Sequence, residues 1–181
     1  IAGISKDYGA EVPFLRPKEL SMDDSPTIDT ILHVIDWFEN KNEFFDILVL
    51  IEPTSPLRAL DDINNCIEIL LKNKNSESIV SIARLECSHP EFNVILNKEG
   101  FIRKMDGGVN FKVLRRQELK DVYYFDGSVY ISYIESLKKR RTFYHEKTLG
   151  YIVPKYKALE IDDICDFIMV EALIKIKMET L

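Results

Sequence analysis

One apolar run and the loop behind it constrain this chain most. Asp46-Ile-Leu-Val-Leu-Ile51 is continuous rather than alternating, the pattern of a strand covered on both faces. It stops at Glu52-Pro-Thr-Ser-Pro-Leu-Arg58, a polar loop that Pro53 and Pro56 stiffen. A helix is expected from about Asp61, with Ile63, Ile67 and Leu70 inward, and a further strand from Ser78 to Ala83. Strand, loop, helix and strand in that order point to an open α/β sheet. Ligands of such sheets sit beyond the carboxyl ends of the strands, where Glu52, Thr54, Ser55 and Arg58 stand. On position alone, a plain strand-to-helix turn explains the loop slightly better than a binding site does.

The flanking sequence extends the alternation. Ile1, Ile4 and Tyr8 fall on one helical face, and Gly9 suits a left-handed stop. Glu11 to Leu15 reads as a short strand. Ser25 and Pro26 suit the cap and first turn of a helix whose stripe is Ile28, Leu32, Ile35 and Phe38. Phe92–Leu96 and Phe101–Lys104 read as a hairpin around Lys98-Glu-Gly100. The surrounding stretch, 86–125, is irregular and basic, and reads as an arm leaving the body. Val129–Tyr133 and Thr148–Val153 are strand-like. A last helix, from about Asp163 to Lys177, is apolar on most sides and is expected to be well buried. With 181 residues, 46% of them hydrophobic, the chain suits a single domain with its own core.

Composition narrows the function. A net charge of -6 is the wrong sign for a nucleic-acid binder. The one dense basic run, Lys138-Lys-Arg-Arg141, reads as a solvated helix end. Cys66, Cys87 and Cys165 are far apart and suggest neither a disulfide framework nor a zinc site. No run is apolar enough to span a bilayer. A cytoplasmic protein without membrane or nucleic-acid partners is the expectation.

Several groups can carry chemistry. In an extended segment Glu160 and Asp162 point the same way. Side by side they repel unless a cation sits between them, and magnesium on a nucleotide takes one or two such carboxylates. Asp162 or Asp163 can equally cap the last helix. The forks of Arg115 and Arg116, next to Gln117, suit planar anions, although spacing alone favours a solvated turn. Gly127, after Asp126 and before Tyr130, would let a ligand or another backbone approach. Phe143 and Tyr144 can wall a pocket or fill a core. His33, His89 and His145 are not paired at ligand spacing.

Five stretches together resemble the acylneuraminate cytidylyltransferases and their legionaminate and pseudaminate counterparts. They are Tyr8-Gly-Ala-Glu-Val-Pro-Phe-Leu-Arg-Pro17 with Glu19, Leu20 and Asp23; Glu52–Arg58; Arg115-Arg-Gln-Glu-Leu119; Asp126-Gly-Ser-Val-Tyr-Ile131; and Glu160-Ile-Asp162 with Asp166 and Glu171. The resemblance implies a Rossmann-like three-layer nucleotide-sugar transferase fold, its central sheet mostly parallel and lacking a first strand. It implies a homodimer in which the arm, 86–125, crosses to the partner. It implies transfer of CMP from CTP to an acidic nine-carbon sugar. Arg16, Asp23 and Thr27 would meet the nucleotide. Glu52, Arg116, Gln117, Asp126, Tyr130, Phe143 and Tyr144 would meet the sugar. Glu160 and Asp162 would hold magnesium, and Asp162 and Arg116 would carry the catalytic roles. The family commonly has Gln at the position of Glu52, Asn at that of Asp126 and Asp at that of Glu160. Its basic, glycine-containing triphosphate loop has no counterpart here, so the 181 residues alone are expected to turn over little CTP. A non-catalytic paralogue or fragment that keeps the arm remains the alternative.

Overall fold

In the computed structural model, residues 1–86, 88–111 and 115–179 are described, without the side chains of 116 and 177–179. The helices are α1 (Ala2–Asp7), α2 (Thr27–Glu39), α3 (Leu60–Lys72), α4 (Ile134–Arg140) and α5 (Ile164–Glu179). The strands are β1 (Ile47–Leu50), β2 (Ser78–Arg84), β3 (Val94–Leu96), β4 (Ile102–Lys104), β5 (Tyr123–Tyr133) and β6 (Thr148–Val153).

Alternation along β2 and β5 builds a core on each face of the sheet. Val80 faces α2 and α4, where it joins Ile31, Ile35, Ile134, Leu137 and Phe143. Ile79, Val129 and Ile131 face α3 and meet Cys66 and Leu70. Each fully buried aliphatic side chain contributes roughly 1.5–3 kcal/mol through removal from water. Burial also pushes the Cys66 thiol up to about 12, so it is a core residue and not a nucleophile.

The four-stranded sheet has the order β1-β5-β2-β6. β2 and β6 are parallel, while β5 is antiparallel to both β1 and β2. The mostly parallel sheet expected from the resemblance is therefore corrected to a mixed one. The cause lies in the chain path. The arm leaves the end of β2 and returns to the same end, where Leu85 N–H donates to Val122 O (2.8 Å). A strand that starts beside the end of its neighbour must run back along it. β5 thus fills the gap that the β1–α3–β2 crossover leaves open.

β1 is partly covered on both faces, with Leu48 and Leu50 against the α2/α4 core and Ile47 against the α3 core, although Val49 is exposed; among the described residues it pairs with β5. Three local expectations also change. Glu11 to Leu15 forms no strand. Ser25 does not cap α2; its hydroxyl donates to Glu19 O (3.1 Å) and accepts from Met22 N–H (3.1 Å), and the helix begins after Pro26. α5 has the expected place but not the expected burial. Val170 is buried, yet Ile164, Phe167 and Ile168 are exposed at 69%, 51% and 57%. Apolarity all round says that a helix favours cover, not what covers it.

The arm holds the hairpin that the sequence suggests, with Val94 opposite Lys104 and Leu96 opposite Ile102.

Candidate functional site

The loop after β1 is anchored by its own arginine. Arg58 Nη1 donates to Ser128 O (2.8 Å) and, with Nη2, to Glu52 O (3.2 and 3.1 Å). Arg58 is therefore a strut that joins the loop to β5. Burial pulls its guanidinium below the usual value, against the charges of Glu52 and Asp126. Leu57 is buried beneath the loop, and Ile161 N–H donates to Thr54 O (2.9 Å). That bond brings the segment after β6 against the proline loop.

The second component is a break in the β2–β5 ladder. Val80 faces Tyr130 and Ile82 faces Phe125, so the intervening residues of β5 bulge out. Gly127, at φ +73°, makes the bulge possible. Ser81 supports it from β2: its Oγ accepts from Val129 N–H (2.8 Å). The Ser128 hydroxyl donates to the Asp126 carboxylate. Asp126 is 1% exposed, and its Oδ1 has no hydrogen-bond partner among the described residues. The fully buried Ser55 hydroxyl is within reach of the Glu160 carboxyl.

Glu160 closes the group. A Cβ added at Gly127 would lie 1.9 Å from Glu160 Oε1, so the glycine is needed for a side chain to approach, and not a backbone. Burial raises the Glu160 pKa, and the charges of Asp162, Asp126 and Glu52 raise it further; the nearby Ser55 hydroxyl opposes them. Asp162 itself is exposed beside it. Asp163 caps α5, accepting from Cys165 N–H (2.7 Å) and Asp166 N–H (3.0 Å). Asp166 accepts from Asp162 and Asp163 N–H (3.1 Å each). Capping thus falls to Asp163 and Asp166, and leaves the side chains of Glu160 and Asp162 for other work.

Beside the carboxylates opens a cleft of about 260 Å³, whose lining includes Thr27, Glu52, Tyr130, Arg141, Phe143 and Tyr144. Tyr130 packs on Phe143 with ring centres 5.6 Å apart and meets Tyr144 edge-on at 6.2 Å. Burial, together with a hydrogen bond to Tyr144, holds the Tyr130 phenol well above its usual range. Phe143 is at once a core residue and a cleft wall, so its two sequence readings both apply.

The structure does not bring every expected residue to this place. Arg16 is exposed and reaches the Leu20 carbonyl (3.4 Å). Asp23 is exposed in a turn. Gln117 is exposed in a single 3-10 turn of the arm, Arg116–Glu118, and the side chain of Arg116 lies outside the described residues. Arg16, Asp23 and Gln117 do not line the cleft. Arg141, conversely, escaped the sequence reading. It ends α4 in a left-handed conformation at φ 55°, lines the cleft and pairs with Asp29. With no glycine to mark that helix end, only its place two residues before Phe143 hints at it. The basic run is not simply solvated, since Lys138 pairs with Glu39 and Arg140 with Glu77.

Among the described residues, no group of three or more His, Cys, Asp or Glu side chains converges to hold a metal ion. A nucleotide-bound magnesium needs fewer protein ligands, commonly one or two carboxylates completed by phosphate oxygens and water. Glu160 and Asp162 fit that demand, and their mutual repulsion is what a cation relieves. Among the described residues, no helix is long and apolar enough to cross a membrane.

The chain matches no protein-family model. It is 27% identical to the CMP-N,N'-diacetyllegionaminic acid synthase of Legionella pneumophila, over 100% of this chain and 76% of that protein. It is 30% identical to the post-translational flagellin modification protein B of Campylobacter coli, over 98% of this chain and 74% of that protein. It is 31% identical to an N-acylneuraminate cytidylyltransferase of Streptococcus agalactiae, over 86% of this chain but only 36% of that longer protein.

Proposed function

The chain belongs to the acylneuraminate cytidylyltransferase family, and from that premise we propose that it forms the sugar-binding and acidic part of an enzyme that transfers CMP from CTP to a nonulosonic acid. One observation carries the proposal. Glu52, Asp126 and Glu160, from three separate stretches of sequence, meet around Gly127 at the strand ends, beside an aromatic cleft.

In this reading the sugar lies against Tyr130, Phe143 and Tyr144, with Glu52 and Asp126 on its polar side. The nucleotide lies toward Glu160 and Asp162, while Thr27, which the resemblance gives to the nucleotide, lines the aromatic cleft. The anomeric oxygen attacks the α-phosphorus of CTP, the bond to the bridging oxygen breaks, and pyrophosphate leaves with that electron pair. Glu160 and Asp162 would hold magnesium, which neutralises phosphate charge when bound. The chain's own part is to orient the two substrates and exclude water from the aromatic side, the major source of rate in transfer to phosphorus. In this reading Arg116 and Gln117 reach the sugar from the arm of another subunit.

That placement agrees with the arm itself. Leu96, Phe101, Ile102 and Met105 are exposed at 68%, 63%, 51% and 62%. A two-stranded hairpin bearing such residues is marginal alone and is stabilised by cover. We assign the arm to a homodimer contact. A Rossmann-like arrangement of the complete domain is part of the same proposal, supported by the β1–α3–β2 crossover with helices on both faces.

Pyrophosphate release by the complete gene product, with CTP, magnesium and a set of nonulosonic acids, tests the activity. Release that requires both CTP and one of the sugars is expected. No release with any of them would overturn the proposal and favour a non-catalytic paralogue.

A further inference from the structure

Glu52 lines the cleft, and among the described residues no side chain forms an ion pair with it. Arg58 feels its charge but gives its N–H donors to the carbonyls of Glu52 and Ser128. Arg141, on the cleft lining, is paired with Asp29. Behind Glu52 lie Asp126 and Glu160, so no counter-charge comes from that side. A buried polar atom in the same group, Asp126 Oδ1, has no partner among the described residues. Orphaned buried groups cost free energy unless a ligand satisfies them.

An ionised carboxylate only accepts hydrogen bonds. A ligand group that presents another acceptor, such as an acyl carbonyl oxygen, would meet it with repulsion. A group that donates is favoured, and a cationic donor most of all, because it also gains from the faces of Tyr130 and Tyr144 that border the same cleft. An unpaired carboxylate beside aromatic rings is the composition of a site for an ammonium or amidinium group.

We propose that the sugar substituent docking against Glu52 is a basic one, a free amino or amidino group, and that the site selects against an N-acyl group at that position. The inference rests on the cytidylyltransferase reading and narrows its substrate class. Glu52 is thereby a specificity-determining residue whose charge, and not only its shape, selects the sugar.

The test compares kcat/KM for pyrophosphate release, at saturating CTP and magnesium, across nonulosonic acids that differ only in carrying an amine, an amidine or an N-acetyl group at one ring or side-chain position. With the complete wild-type protein, the basic sugars are expected to exceed the N-acetyl sugar by at least about tenfold. Glu52→Gln, which adds an N–H donor and removes the charge, is expected to bring the two within about threefold or to reverse them. Glu52→Asp, which keeps the charge, is expected to retain the preference, and thermal unfolding of each variant confirms that it is folded. Turnover in which wild type and Glu52→Gln share one preference, or in which wild type favours the N-acetyl sugar, overturns this inference and leaves the cytidylyltransferase reading intact. Absence of CTP-dependent release with every sugar overturns both.

Discussion

The two ends of β2 both gather carboxylates and surround them differently. Before the strand, Glu77 accepts from Arg140 (2.7 Å), Lys147 (2.6 Å) and Ser136 (3.1 Å), and these donors hold its pKa down to about 2. Toward the other end, at the bulge opposite Ser81, lies Asp126 with Glu52, Glu160 and Asp162 around it; Arg58, bound to carbonyls, meets the charges of Glu52 and Asp126, and the Glu160 pKa goes up instead. The residue types are the same. What differs is whether the fold supplies the cations or leaves them to be supplied. A matched cluster ties elements together, and an unmatched one holds repulsion that a bound ligand or ion releases.

The sharpest challenge removes the cation from a third, deeply buried pair. Lys157 donates to Asp62 at 2.7 Å, and the two side chains are 12% and 5% exposed. Burial raises the Asp62 pKa, but the bonds from Lys157 and the Ala59 N–H outweigh it and leave the carboxyl below its usual value. Lys157→Met should therefore cost about 3–5 kcal/mol in denaturant unfolding, because it strands a buried charge. For this lowered carboxyl the sign is fixed: its stabilisation is complete above the unfolded-state pKa and fades as pH falls toward the folded one.

Glu160→Gln should do the opposite to the fold and harm the chemistry. Neutralising it removes like-charge repulsion, so the melting temperature at neutral pH should rise while pyrophosphate release falls by at least about a hundredfold, roughly 2.7 kcal/mol of barrier. The wild-type protein, whose Glu160 pKa is raised, gains stability as pH falls through that raised value, and the variant should lack this gain. A variant that is both less stable and still active would erase the contrast between the two ends of β2.

Gly127→Ala should cost about 1–2 kcal/mol from its left-handed backbone alone. It should also displace Glu160 and cut release further than the stability loss explains, visible as a fall in kcat for protein that remains folded. The smallest effect belongs to Glu77→Gln: a slight drop in melting temperature at neutral pH that disappears as pH falls toward 2, with kcat/KM unchanged.

Much of the site was legible before the fold. Glu52 announces itself by ending an apolar run, and Glu160 and Asp162 by their spacing, because both signals depend on sequence neighbours. The bond between Ile161 and Thr54, and the insertion of Glu160 over Gly127, depend on residues far apart in sequence, and no periodicity encodes them. Sheet direction failed for the same reason. The apolar pattern of Ile47–Leu50 reports burial, and burial is shared by an edge strand with helices packed beside it. Ser25 failed through competition: two nearby backbone groups claimed its hydroxyl before α2 could.

The return of the arm into β5 has one more consequence. From Val122, bonded to Leu85, the backbone runs straight through Tyr123–Phe125 into the bulge that carries Asp126 and Gly127. Whatever grips the arm from outside therefore pulls on the same stretch of main chain that shapes the inner cup. In the proposed homodimer, assembly and turnover would be mechanically geared by this layout, and loosening one subunit from another would slacken the pocket well before it unravelled the body.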